Sequence, residues 1–197
     1  MSTGLDSRGN SPLMRACRHK CEQQALELLA CGADVFATNK DGETALFLAS
    51  DAGLDGVVTA LLHAGADPCV TNRYGVTAMH VARTPKICAS LYLAGGSVDA
   101  QDVNKCAPLH WAARRGLAMV MQSLVSMGAN INVFDARGNT PLHLASSAAA
   151  VDAARDAFAN ENLRNLNGLS AKEQAAGRGQ KYLHNVAPDR PALKFSV

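Results

Sequence analysis

The sequence predicts an all-α repeat protein, a solenoid of stacked helix-turn-helix units with β-turn or hairpin tips. Three observations carry this prediction. Five segments align on a template that opens with Asp or Asn: DSRGNSPLMRA from Asp6, NKDGETALFLA from Asn39, NRYGVTAMHVA from Asn72, DVNKCAPLHWA from Asp102 and DARGNTPLHLA from Asp135. Their starts lie 33, 33, 30 and 33 residues apart, and a looser copy, NLNGLSAKEQA, begins 30 residues later at Asn165. The second half of the unit recurs too: Leu28-Leu29, Leu61-Leu62 and Leu124-Val125 precede Gly32-Ala33-Asp34, Gly65-Ala66-Asp67 and Gly128-Ala129-Asn130. Finally, 48% of residues are apolar but only 5% aromatic, so the core falls to Ala, Leu, Val and Met, among which Ala and Leu favour helix. Units of this length cannot bury an apolar face alone and must stack.

Each element follows in order. The leading Asp or Asn, with Gly three residues on, is turn chemistry: the side-chain oxygen caps local N–H groups and Gly accepts positive φ. Thr or Ser then stands as N-cap, and Pro at the first helical position gives up a hydrogen bond the helix would not make. Leu13 and Ala16, like Leu142 and Ala145, share one face of a short first helix, which ends near Gly53 in the second unit and Gly116 in the fourth. The second helix carries the Leu or Val pair and stops at Gly32, Gly65 or Gly128. The expected organisation is a short segment over 1–5, one elongated repeat domain over 6–186, and a loose tail over 187–197. Units start near 6, 39, 72, 102 and 135, with a degenerate cap from 165.

At these residues the chain resembles the ankyrin-repeat family. The signature Thr-Pro-Leu-His stands complete at Thr140-Pro141-Leu142-His143, with partial versions at Ser11-Pro12-Leu13-Met14, Thr44-Ala45-Leu46-Phe47, Thr77-Ala78-Met79-His80 and Ala107-Pro108-Leu109-His110. The resemblance covers about residues 5–186. It implies a non-catalytic module (an adaptor, inhibitor or assembly chaperone) that holds another protein through its tips and concave groove. Two alternatives are a targeting or masking subunit of an enzyme complex and a secreted microbial effector. The resemblance also implies that His80, His110 and His143, which recur at one repeat position, bond to neighbouring backbone and link one unit to the next.

Departures from the pattern make their own predictions. The third unit is three residues short, and Pro85 replaces the Gly between its helices, so the first helix should stop early and the connection tighten. Lys105 stands where the fourth turn needs Gly and Ala107 where it needs a cap, predicting a weaker or differently shaped turn. The fifth unit is short as well, its deletion lying either between the helices or around 159–162. Residues 169–176 and 181–186 read as a polar C-terminal cap, with Lys172 and Glu173 where good units carry apolar residues or His.

The formal charge of +2 gives no bulk electrostatic case for nucleic acid. The uncharged run 116–134 approaches a membrane span in length, but Gln122, Ser123, Ser126, Asn130 and Asn132 interrupt it and Gly128 breaks it. No apolar segment lies in residues 1–10, so a cytoplasmic or nuclear location is expected, with the six cysteines as free thiols. Cys17, His19, Cys21 and Cys31 have ligand-like spacing, yet Cys17, Cys21 and Cys31 occupy ordinary packing positions of other units, so no metal is expected. No phosphate loop, catalytic carboxylate pair or nucleophile elbow stands out, so neither a cofactor nor enzymatic activity is expected, and a monomer is. Trp111, at a position that is Leu or Val elsewhere, reads as packing.

The register places Arg73, Tyr74, Val103, Asn104, Arg114, Arg115, Phe134 and Arg137 on the partner-binding side. Tyr74, Val103 and Phe134 are large apolar residues at tips, and Tyr and Arg are favoured interface anchors. Arg18, Arg73, Arg83, Arg114, Arg115 and Arg137 map to the same side, predicting a basic groove for an acidic or phosphorylated segment.

Overall fold

The computed structural model describes residues 4–177. These form helices α1 (Pro12–Arg18), α2 (Glu22–Ala30), α3 (Ala45–Ala52), α4 (Asp55–His63), α5 (Ala78–Val81), α6 (Pro85–Leu93), α7 (Pro108–Arg114), α8 (Ala118–Ser126), α9 (Pro141–Leu144), α10 (Ala148–Asp156) and α11 (Ala171–Gly177). The odd-numbered helices pack successively in one row and α2, α4, α6, α8 and α10 in a second. Among the described residues the extended structure is two isolated antiparallel bridges, Thr38–Thr44 and Arg164–Ser170. The core runs between the two rows through Leu46, Leu61, Met79, Leu91, Leu109, Met121, Leu124 and Leu142, all buried.

The tips are built alike. Asn39 Oδ1 accepts from the N–H of Asp41 and Glu43, both at 2.9 Å, and Asp102 Oδ1 accepts from Asn104 (2.8 Å) and Cys106 (2.9 Å). Each tip then donates one N–H to the tip before it: Arg73 to Asp41 O, Val103 to Tyr74 O, Ala136 to Asn104 O and Leu166 to Arg137 O. This backbone ladder fixes the tips as one row, with their side chains spaced along it.

The fourth tip corrects the expectation of a different shape. Lys105 adopts φ 56°, close to the 77° of Gly42, and donates to Asp102 O at 2.8 Å as Gly42 donates to Asn39 O at 2.9 Å. The turn keeps its form, and the absent Gly is felt as left-handed strain of about 1 kcal/mol. Ala107 has no side-chain oxygen to cap α7, yet His110 Nδ1 accepts the Ala107 N–H at 3.1 Å, as His80 Nδ1 accepts from Thr77 N–H.

The two short units share one solution. In the third, α5 is only four residues long, and Thr84 caps α6 by accepting from Ile87 N–H at 3.1 Å, with Pro85 first in the helix. In the fifth, α9 is again four residues, and Ser147 caps α10 through Ala150 N–H at 3.2 Å. The fifth unit's deletion therefore lies between its helices. Phe158, with φ 59°, takes the helix-ending position held by Gly32, Gly65, Gly95 and Gly128.

The polar run at the sixth unit forms reciprocal bonds at the start of α11. Ser170 N–H donates to Glu173 Oε2 at 2.8 Å, Glu173 N–H donates back to Ser170 Oγ at 3.3 Å, and Arg164 pairs with Glu173 at 2.8 Å. Residues 181–186, assigned to the same cap, and the tail over 187–197 lie outside the described residues. The uncharged run 116–134 splits into α8 and a segment of turns, and no helix among the described residues is long and apolar enough to cross a membrane.

Candidate functional site

The side formed by the tips and the first helices holds two neighbouring cavities. One, of about 400 Å³, is centred on the third unit, between the second and the fourth. Its apolar walls are Phe47, Tyr74, Val76, Val81, Val103 and Trp111. The other, of about 570 Å³, runs from the fourth unit to α11 and includes Cys106, Arg114, Arg137, Leu144 and Gln174. Asp102, Asn104 and Trp111 line both, so the two form one groove.

Trp111 is the hinge between them, a role its repeat position does not reveal. Its Nε1–H donates to Asp102 Oδ2 at 3.1 Å, and its ring meets His80 edge-on, with centroids 6.1 Å apart. The Arg115 guanidinium lies 5.4 Å from the ring centroid and donates to Asp51 Oδ1 and to Val81 O, both at 3.1 Å. Packing is thus only half of what Trp111 does: its remaining surface faces the groove.

Four of the six arginines expected on this side are held in ion pairs. Arg18 pairs with Glu43 at 2.8 Å, Arg73 with Asp41 at 2.8 Å, and Arg83 and Arg115 both reach Asp51, at 3.4 and 3.1 Å. Arg73 also lies over the Tyr74 ring, 4.9 Å from its centroid. Arg114 and Arg137 differ: neither forms an ion pair among the described residues, and Arg114 Nη2 makes a long contact with Cys106 Sγ at 4.0 Å. The groove is therefore charge-balanced on its N-terminal side and carries open guanidiniums on its C-terminal side.

Of the residues expected to bind a partner, Tyr74, Val103, Asn104 and Arg115 line the first cavity, and Asn104, Arg114 and Arg137 the second. Arg73 and Phe134 line neither, although Phe134 is exposed. Phe47 and Val81 were absent from that expectation because both lie on first helices, at positions that read as core.

The recurring histidines are ties between units. His80 Nδ1 accepts from Thr77 N–H, which leaves Nε2–H to donate to Cys106 O at 3.0 Å; His110 Nε2 reaches Asn139 O and His143 Nε2 reaches Leu169 O, each at 3.0 Å. Burial holds the pKa of His80 and His110 below the ordinary value, which keeps both rings neutral. The cysteines divide: Cys17, Cys88 and Cys106 are buried, whereas Cys21, Cys31 and Cys69 are exposed, so packing does not account for Cys21 and Cys31. Burial pushes the Cys17 and Cys88 thiols up to about 12, away from nucleophilic use. Among the described residues no group of three or more His, Cys, Asp or Glu side chains is arranged to hold a metal ion.

A row of tips, two rows of helices and a histidine ladder at repeat spacing define a helical-repeat solenoid. The family model for ankyrin repeats (3 copies) matches residues 13–84 and 78–165. The chain belongs to the ankyrin-repeat family. It is 34% identical over 147 residues to Inversin from Canis lupus familiaris and from Homo sapiens, covering 72% of this chain and 14% of either relative. It is 31% identical over 165 residues to the B-cell lymphoma 3 protein homolog of Mus musculus, covering 77% of this chain and 36% of that protein. The chain thus spans between 14% and 36% of these relatives' length.

Proposed function

We propose that this protein is a non-catalytic binding module that holds another protein in the groove between the third and fifth units. The continuity of the two cavities through Trp111, Asn104 and Asp102 carries the reading. A single chain segment laid along the first helices would meet an apolar wall and then open guanidiniums, the mixture of aromatic and Arg surface that supplies interface anchors. The exposure of Tyr74 (48%) and Val103 (66%) at successive tips supports it, because these side chains gain burial only from a partner. Adaptor, inhibitor and assembly-chaperone roles all use such a surface and differ in what the partner does once held.

The test is affinity capture from the native cell with two baits, the wild-type chain and Tyr74→Ala/Val103→Glu. Both substituted residues are exposed, so the variant keeps its fold, checked by its melting curve. A partner retained by the wild type and lost by the variant supports the groove. Identical captured proteins on both baits refute it.

A further inference from the structure

The groove offers a ligand two different kinds of surface. In the first cavity the polar groups are already engaged: Glu43 by Arg18 and Asn39, Asp51 by Arg83 and Arg115, and Asn72 Oδ1 by the N–H groups of Tyr74 and Val76. What is left open is hydrocarbon and aromatic surface on Tyr74, Val103 and Trp111. In the second cavity the buried carboxylates are engaged by neighbouring N–H groups, whereas the two arginines form no ion pair among the described residues. Asp135 is buried and accepts from Arg137 N–H, Asn139 N–H and Asn139 Nδ2, while Asp102 is buried under Asn104, Cys106 and Trp111. Asn139 Oδ1 in turn accepts from Asn165 Nδ2 at 3.0 Å. The guanidiniums of Arg114 and Arg137 remain as donors facing the opening.

From this we infer that the partner contributes one extended segment carrying a large apolar side chain and, further towards the C-terminal cap, a carboxylate. The apolar side chain seats against Tyr74, Val103 and Trp111, and the Asp or Glu accepts hydrogen bonds from Arg114 and Arg137. This inference rests on the groove being the binding surface and specifies what fits it. A carboxylate suits the second cavity better than a phosphate group. Two buried aspartates already offset the charge of the two arginines there, so every further negative charge is unbalanced, and a carboxylate adds one where a phosphate group adds about two. Helices packed about 8–10 Å apart put the anchor and the acid one to two units from each other, which an extended chain spans in about three to six residues.

The experiment is selection from a random 12-residue displayed peptide library on three purified chains: wild type, Arg114→Gln/Arg137→Gln, and Val103→Glu. All substituted positions are on the surface, and coincident melting curves show that the variants are folded. The wild type is expected to enrich peptides with Leu, Ile, Phe or Trp and an Asp or Glu three to six residues away. The arginine variant should keep the apolar preference and lose the acidic one, and Val103→Glu should lose the apolar one. In a synthetic consensus peptide, Glu→Gln should weaken binding to wild type about tenfold and leave binding to the arginine variant unchanged. Enrichment that depends on Val103 but shows no acid overturns this inference and leaves the groove reading intact. Enrichment indifferent to both variants, or none above the starting library, overturns both. Phosphoserine binding about tenfold tighter than Glu at the acidic position overturns the carboxylate assignment.

Discussion

The two ends of the stack are tied together by different chemistry. Units one to four are joined across the groove side by ion pairs, and Asp51 alone gathers Arg83 from the third unit and Arg115 from the fourth. From the third unit to the sixth, the ties are hydrogen bonds to backbone rather than ion pairs: the ladder of His80, His110 and His143, and the side-chain oxygens of Asp99 and Asn132, which accept from Asn130 and Asn160 N–H at 3.2 and 2.8 Å. The equivalent positions in the earlier units are Phe36 and Cys69, which have no oxygen to offer. The difference has a functional consequence. Where hydrogen bonds to backbone hold the units together, arginines are not consumed as ties, and Arg114 and Arg137 stand outside the ion pairs of the described residues.

Removing a neutral tie should cost most. His110 is fully buried and bridges Ala107 N–H and Asn139 O, so His110→Ala leaves the Ala107 N–H without its acceptor, takes one of two donors from Asn139 O and opens a cavity. A loss of about 3 kcal/mol is expected, read as the shift in urea midpoint. The same histidines give the C-terminal half a pH dependence. With pKa values lowered by burial, His80 and His110 in the folded state bind fewer protons than in the unfolded chain just below the ordinary value of 6.5. Their stabilising contribution is present above that pH and is lost as pH falls towards the folded values. The urea midpoint should therefore drop between pH 7 and 5, and substituting His110 should flatten that drop.

Smaller effects come from strain. Lys105→Gly and Phe158→Gly each remove a left-handed side chain, and Phe158 is 86% exposed, so little packing is lost. Each should raise stability by about 1 kcal/mol, seen as a higher melting temperature. Asp51→Asn, which breaks two half-exposed ion pairs in the N-terminal half, should cost under about 1 kcal/mol, and 1 M salt should erase the difference. A larger, salt-insensitive loss would contradict the division of labour between the two ends.

The architecture was legible because turn residues, caps and helix-ending glycines recur at a fixed period, and each is a local demand of the backbone. The places that misled are those where a side chain's meaning is set by another unit. Arg115 meets Asp51 across two units, so its charge read as available when it is not. Trp111 occupies an aliphatic position, and only its neighbours His80, Asp102 and Arg115 orient it towards the groove. The fifth unit's deletion stayed ambiguous because Phe158 hides the helix-ending position: it lies 30 residues after Gly128, as Gly95 lies 30 after Gly65. Lys105 likewise shows that the tip ladder imposes its geometry on a residue that disfavours it.

The contrast between paired and open arginines is tested most directly by calorimetric titration of the captured partner against two variants. Arg114→Gln/Arg137→Gln removes the open pair, and Arg73→Gln/Arg83→Gln removes two that are engaged within the stack. The open pair should weaken binding about 100-fold and the engaged pair less than about threefold. Equal losses, or a larger loss from Arg73 and Arg83, would contradict the assignment.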